Sequence, residues 1–173
     1  MRHTLKRFLL ASAAALVATV QLPASAGTAT ANLSVTATIS ANCTVSTAAV
    51  AFGAYDPVVA NLSSPLAGTG TITTTCSNGA APVITLGQGS NPGGGSTDAA
   101  PVRQMANAAN RMGYSLYQDS ARTTVWGNTV GTAPTSVPGS GVAQNFTVYG
   151  QVAAGQSLPV GSYADTVVAT VTF

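Results

Sequence analysis

Residues 28–41, TATANLSVTATISA, alternate apolar and polar side chains without a break. A period of two residues puts one set on each face of an extended strand and excludes an amphipathic helix, whose period is about 3.6 residues. At about 3.3 Å per residue the segment would span roughly 45 Å, more than a small sandwich needs from one strand. The apolar face consists of Ala29, Ala31, Leu33, Val35, Ala37, Ile39 and Ala41.

This predicted strand has two possible partners. It could be the ordinary first strand of its own domain, which would give a closed monomer. Alternatively, the segment beginning at Cys43 supplies that first strand, and residues 28–41 form an additional strand that pairs elsewhere. Periodicity alone does not choose between the two.

The first residues of the chain have the features of a secretory signal peptide. Arg2, Lys6 and Arg7 form a positive start, residues 8–20 form a short apolar run rich in alanine, and residues 24–26 read Ala-Ser-Ala. This order matches a cleavable signal better than an uncleaved membrane anchor, for which the run is too short. We therefore predict export through the periplasm to the cell surface. The predicted division is a signal peptide at 1–26, an N-terminal strand at 27–41 and a β-domain at 42–173.

Removal of the signal changes the charge of the protein. The remaining charged side chains are Arg103, Arg111, Arg122, Asp56, Asp98, Asp119 and Asp165. With one more acidic group than basic groups and no lysine, the chain lacks the cations that neutralise phosphates, so nucleic acid is excluded as a partner. No later apolar run has the length of a membrane helix, so we predict no membrane span in the mature form.

The composition after the signal predicts an all-β fold. Thr, Val, Ala, Gly and Ser dominate, and short alternating runs are separated by glycine and proline clusters. The predicted strands are 43–55, 68–76, 81–89, 112–119, 123–127, 142–152 and 162–173. Strands of this number and spacing indicate an antiparallel sandwich of the immunoglobulin-like kind.

Cys43 and Cys76 are the only two cysteines, and export places them in an oxidising compartment. We predict a disulfide between them, which would stabilise the domain by about 3–4 kcal/mol. A zinc site is the weaker alternative because two thiols without histidine leave the tetrahedral set incomplete. No metal or other cofactor is predicted.

Catalysis has few residues available. Histidine, lysine and glutamate are absent from residues 27–173, which excludes Ser-His-Asp and Cys-His arrangements. A pair of aspartates such as Asp98 and Asp119 remains as a glycosidase-like possibility. Asp119 lies in a turn-forming stretch and Asp98 in a Gly/Ser loop, where aspartate commonly serves the backbone. We predict no catalytic residue and a protein that is not an enzyme.

The last predicted strand also alternates. Its more apolar face carries Tyr163, Asp165, Val167, Ala169, Val171 and Phe173. An immunoglobulin-like sandwich normally adds a seventh strand that covers this edge and closes the core. If the domain stops at the sixth strand, an apolar groove and unpaired backbone groups stay open, and such an edge accepts another strand.

Three stretches resemble the spore coat protein U domain family, which includes the major pilin subunits of archaic chaperone-usher pili of the Csu biofilm type. They are YSLYQDSARTTVWG at 114–127, FTVYGQVAAGQSLPVGSYADTVVATVTF at 146–173 and ISANCTV at 39–45. The resemblance covers nearly all of the mature chain, and residues 85–110 contribute nothing to it.

The resemblance implies an incomplete immunoglobulin-like sandwich with an N-terminal donor strand that completes the neighbouring subunit. The donor side chains are then expected to be Ala31, Leu33, Val35, Ala37 and Ile39. The implied partners are copies of the chain or related pilins, a periplasmic chaperone and an outer-membrane usher. The chaperone contact is expected on the C-terminal strand, at Val167, Ala169, Val171 and Phe173.

The resemblance thus implies a structural subunit of a secreted pilus that supports adhesion and biofilm formation. Two alternatives stay open: a spore or cell-surface coat protein, and a small secreted carbohydrate-binding module. The last requires a solvent-facing aromatic platform, whereas Trp126 and Tyr117 are expected in core or cross-strand positions.

Overall fold

The computed structural model describes residues 23–173, so most of the predicted signal peptide lies outside the described residues. The chain divides into two units after Ala37. Residues 23–37 contain no helix or strand, and all of them are exposed. Residues 38–173 form seven strands and a 3-10 helix. The elements are β1 Cys43–Ala48, β2 Leu66–Cys76, β3 Val83–Leu86, β4 Arg103–Asn107, β5 Asn110–Tyr117, the 3-10 helix Val130–Thr132, β6 Ala143–Val152 and β7 Ala169–Thr172.

The strands form two antiparallel sheets. One has five strands in the order β1-β2-β6-β5-β4, and the other consists of β3 and β7. The predicted all-β antiparallel fold is therefore confirmed. Within the described part of the chain, β1 has a single partner strand, β2, and β7 has a single partner strand, β3. Each of these two strands therefore has one edge with no strand beside it.

The core lies between the two sheets, and Trp126 connects them. Its side chain is fully buried, its indole N–H donates to the Ile84 carbonyl at 2.9 Å, and its backbone N–H donates to the Leu116 carbonyl at 2.9 Å. The expected core position of Trp126 is confirmed. The remaining buried members of the cluster are Ile72, Ile84, Leu86, Met112, Tyr114, Leu116, Val148 and Val152.

Strand β4 was not predicted from the sequence. It begins with Arg103, a residue type that is rarely buried without partners, yet its side chain is 1% exposed. The guanidinium donates to the carbonyls of Gly87, Leu86 and Trp126, each at 2.8 Å. These acceptors lie far away in sequence, so local pattern gives no sign of them.

Four predicted strands were too long or wrong. The first ends at Ala48 rather than at residue 55, and the third spans Val83–Leu86 rather than 81–89. The last pairs only from Ala169, apart from an isolated bridge between Ala164 and Ala106. Residues 123–127 form no strand and make one bridge, between Val125 and Tyr117. In each case the alternation is present but the ladder of hydrogen bonds is not, because a strand also needs a partner within reach.

The disulfide between Cys43 and Cys76 is present, as predicted. The two residues are directly opposite each other at the first position of β1 and the last of β2. Beside the disulfide, the Ser77 N–H donates to the Asn42 carbonyl at 2.8 Å, and the Asn42 N–H donates to Ser77 Oγ at 3.1 Å. The point at which the N-terminal residues join the sheet is therefore fixed by a covalent bond and by the hydrogen bonds between Asn42 and Ser77.

Candidate functional site: an apolar groove beside an open sheet edge

An apolar groove runs between residues 47–55, which follow and include the end of β1, and residues 158–169, which lead into β7. Two hollows of about 470 and 450 Å³ lie along it. Val50, Phe52 and Met105 line both hollows, so the hollows adjoin each other. The groove is defined here as these two hollows together, and all of its residues belong to the unit 38–173.

The backbone of β7 offers free hydrogen-bonding groups toward its open edge. The Gly87 N–H donates to the Val168 carbonyl at 2.9 Å, whereas the Leu86 N–H donates away from β7, to the Gly127 carbonyl. Because hydrogen-bonded and non-hydrogen-bonded pairs alternate in an antiparallel ladder, Val168 and Thr170 point their backbone groups at β3. The backbone groups of Ala169 and Val171 therefore point at the open edge.

The same alternation orients the side chains of the C-terminal strand. Val167, Ala169 and Val171 are half-buried and pack against the core, as the sequence pattern predicted for this face. Phe173 is 52% exposed and is not part of that packed set. Ala169 and Val171 thus combine half-buried side chains with backbone groups that point at the open edge. A further strand would require this arrangement in order to pair with β7.

Asp165 holds this segment against the rest of the domain. One carboxylate oxygen accepts from the Ser90 N–H at 2.9 Å and from Asn91 Nδ2 at 3.1 Å, and the other accepts from the Tyr114 hydroxyl at 2.7 Å. Sequence reasoning placed Asp165 on the inward face but did not identify this role. An aspartate in the apolar register of a strand was the available signal, since a carboxylate turned inward requires hydrogen-bond donors.

The environment of Tyr114 predicts a pH effect on stability. Burial, followed by the hydrogen bond to Asp165, raises the pKa of Tyr114 far above its ordinary value of 10.0, while burial lowers the pKa of nearby Arg103 to about 10. A phenol whose pKa is higher in the folded state than in the unfolded state stabilises the protein in full below pH 10.0 and loses that contribution as the pH rises further.

We therefore predict that Tyr114→Phe lowers stability by about 1 kcal/mol at neutral pH, through the lost hydrogen bond, and flattens the decline above pH 10.0. The measurement is chemical unfolding across this pH range, with the tyrosinate absorbance followed in parallel. Arg103 is common to both proteins, so the difference reports Tyr114. Parallel pH curves for the two proteins would contradict the prediction.

The N-terminal segment 28–41 belongs to neither sheet. Its large apolar side chains are almost completely exposed, with Leu33 at 88%, Val35 at 85% and Ile39 at 92%. Ala31 and Ala37 are exposed as well. Within residues 23–173 the structure assigns this segment to no strand, so the sequence-based prediction that it donates a strand stays a prediction.

The two aspartates considered for catalysis have structural partners. The Asp119 carboxylate accepts from the backbone N–H groups of Thr124 at 2.8 Å and of Thr123 at 3.1 Å, and the first of these bonds is the main cause of its lowered pKa. Asp98 accepts from Gln88 Nε2 at 3.0 Å and from Asn128 Nδ2 at 3.3 Å. Residues 23–173 include no cluster of three or more potential metal ligands of the His, Cys, Asp and Glu types.

The aromatic side chains are used mainly for packing. Tyr117 is half-buried and lies opposite Tyr149 on the neighbouring strand, and the Tyr163 hydroxyl donates to the Pro159 carbonyl at 2.9 Å. Phe173 is the one exposed aromatic residue between residues 23 and 173. No helix in that same range has the length and hydropathy of a membrane span.

Comparison with known proteins supplies independent information. The sequence profile of the Spore Coat Protein U domain matches residues 29–170. "Protein U" from Myxococcus xanthus is 47% identical over 159 residues, which cover 87% of this chain and 88% of that protein.

Among solved structures, the fold is similar to a chain in the complex of the CsuC chaperone with the CsuE tip adhesion subunit, from the archaic chaperone-usher Csu pili of Acinetobacter baumannii. The TM-score is 0.53 at 20% identity, over 79% of this chain and 40% of that chain. At that identity the likeness concerns the fold, and this chain spans well under half of the neighbour's length.

Proposed function

Because this chain belongs to the Spore Coat Protein U domain family, we propose that it is a structural subunit of a surface fibre. In this proposal each copy donates residues 28–41 to the groove of the next copy, and the joint repeats along the fibre. The single observation that carries the proposal is the presence, in one chain, of an exposed alternating segment and of an open apolar groove beside a free strand edge.

The proposed joint combines two kinds of contact. Backbone groups of Ala169 and Val171 pair with the donor, and the donor's alternate side chains Ala31, Leu33, Val35, Ala37 and Ile39 enter the groove. Burying three large aliphatic side chains would contribute about 1.5–3 kcal/mol each before the cost of ordering the segment. Dissociation would be slow, because the donor would leave only when part of the acceptor's core opens.

Before assembly the open edge needs another cover, since an exposed apolar edge strand promotes aggregation. We propose a periplasmic chaperone for this role and an outer-membrane usher for export. The likeness to a chain of a chaperone–subunit complex supports the first of these. The C-terminal strand, with Val167, Ala169, Val171 and Phe173, is the surface that the chaperone would contact. Adhesion and biofilm formation belong to the same proposal.

A coat protein is the second candidate. The family takes its name from a spore coat protein, and a 47% identical relative carries the name "Protein U". A coat could use the same joint in an assembly that is not a linear fibre. The carbohydrate-binding module has less support, because the largest aromatic side chain, Trp126, is buried in the core.

The proposed joint predicts multimers that resist detergent but not heat. We expect the exported protein to run as a ladder on an unheated gel and as a monomer after boiling. Deletion of residues 28–40 should remove the ladder and leave the fold, monitored by the buried Trp126 and by the Cys43–Cys76 disulfide. A monomer band for wild type without heating would overturn the proposed function.

A further inference from the structure

After β1 the chain leaves the edge of the five-stranded sheet and crosses the inner face of that sheet through residues 49–52. Val50 and Phe52 point inward and are half-buried, whereas Ala49 and Ala51 are exposed. The Phe52 ring packs edge-on against Tyr114, with 6.2 Å between ring centroids. This crossing segment is therefore part of the wall of the groove.

Three positions of the sheet beneath the crossing segment are glycines. Gly68 on β2 and Gly150 on β6 are directly paired, and Gly70 is the next inward-facing position on β2. A Cβ at Gly150 would lie 2.6 Å from Val50 Cγ1 and 2.7 Å from Phe52 Cζ. None of the three glycines has a left-handed backbone. Their contribution is therefore the room left by the missing side chain, not an unusual backbone conformation.

The other two glycines show the same close approach. A Cβ at Gly70 would lie 2.7 Å from Val50 Cγ2, and one at Gly68 would lie 2.9 Å from Phe52 Cδ1. Carbon atoms do not approach so closely without displacement. Any side chain at these positions would push Val50 and Phe52 away from the sheet and toward the groove.

Val50 and Phe52 line both hollows of the groove, so a displacement of either would make both hollows shallower. We infer that Val50 and Phe52 are positioning residues that set the depth of the groove. Three glycines let these two side chains lie close against the sheet, so that the groove stays deep enough to admit a strand: Gly68, Gly70 and Gly150. This inference rests on the proposed function, because the ligand of the groove is the donor segment of a second copy.

A single substitution should remove either the ability of a subunit to accept a strand or its ability to donate one. Gly150→Ala should remove the ability to accept a strand while residues 28–41 keep the ability to donate one. A substitution on the donor, Val35→Asp, should do the reverse, because Val35 is far from the groove wall in sequence and is exposed in the single chain. Neither variant should form a ladder by itself, and the two together should form a dimer.

The test uses purified full-length exported chains with intact disulfides, unfolded in guanidinium and refolded at high concentration either alone or as mixtures. Wild type should give a heat-sensitive ladder. Gly150→Ala alone should form roughly tenfold less multimer than wild type, or still less. Its mixture with Val35→Asp should give a heat-sensitive heterodimer and no multimer larger than a dimer. Gly94→Ala is the matched control, because nothing lies within 4 Å of a Cβ built at that glycine.

The outcomes are distinguishable. No ladder for wild type overturns the proposed function itself. With a wild-type ladder present, an unchanged ladder for Gly150→Ala overturns the inference alone. An unfolded Gly150→Ala, judged by Trp126 fluorescence, also overturns it, because the glycine would then serve the fold and not the groove. Recovery of the ladder when Val50→Ala and Phe52→Leu are added to Gly150→Ala would support it further, because these changes remove the colliding atoms.

Discussion

We expect Val35→Asp to abolish the multimer ladder and Thr36→Asp to leave it intact. No other pair of neighbouring substitutions should differ so much. Both add a carboxylate to the same exposed segment, one on its apolar face and one on its polar face. In the proposed joint, residue 35 enters the acceptor's groove, where a carboxylate has no partner and its burial costs several kcal/mol. Losing the valine contributes about 2 kcal/mol more.

A weakening of this size corresponds to at least a thousandfold in affinity, on the order of 1.4 kcal/mol for each factor of ten. The measurement is the unheated gel, with the stability of the monomer followed by chemical unfolding. Because Val35 is 85% exposed in the single chain, neither substitution should change the stability of the monomer. Equal ladders from the two variants would show that the segment does not bind through its apolar face.

The regular part of the fold was predictable because its strands alternate over many residues. β2 and β6 pair across ten positions, and their alternation is clear from the sequence. The crossing segment was not predictable: 43–55 alternates as one strand, but the chain turns off the sheet after Ala48, where the glycines of β2 and β6 leave room for Val50 and Phe52. Such room depends on strands far away in sequence.

The groove was only partly predictable for a similar reason. The apolar faces of 28–41 and 162–173 follow from a period of two, since each face is defined by residues of its own segment. The polar contacts that hold the groove's rim do not follow from it, because Asp165 bonds to Ser90, Asn91 and Tyr114, which come from two other regions of the chain. Arg103 was missed in the same way, since three distant carbonyls make its burial possible.

The acceptor side and the donor side of the proposed joint are held in place by different interactions. On the acceptor side, the edge formed by Ala169 and Val171 is paired to β3 and is held near Asp165 by hydrogen bonds. On the donor side, residues 28–41 connect to a short edge strand, β1, whose side chains after Cys43 are exposed. Because little apolar surface holds β1, the disulfide becomes the main restraint on its start.

We therefore expect a large effect from replacing Cys43 and Cys76 together with serine. The disulfide closes a separation of 33 residues, and its loss should lower the free energy of unfolding by about 3–4 kcal/mol. This would move the urea midpoint by roughly 1–2 M. β1 should fray from its first residue, and the crossing segment that follows it, with Val50 and Phe52, should lose its place in the groove wall. The ladder should shrink in parallel with the loss of stability.

Reduction offers a matched control for this prediction. A thiol reductant should reproduce both effects in wild type and should change nothing in the double-serine protein, so any other action of the reagent would be visible there. Ser46→Ala, at an exposed position of the same strand, should leave both the midpoint and the ladder unchanged. If the double-serine protein keeps the wild-type midpoint, β1 is held by its hydrogen bonds to β2. If the midpoint falls but the ladder persists, the groove wall does not depend on how β1 begins.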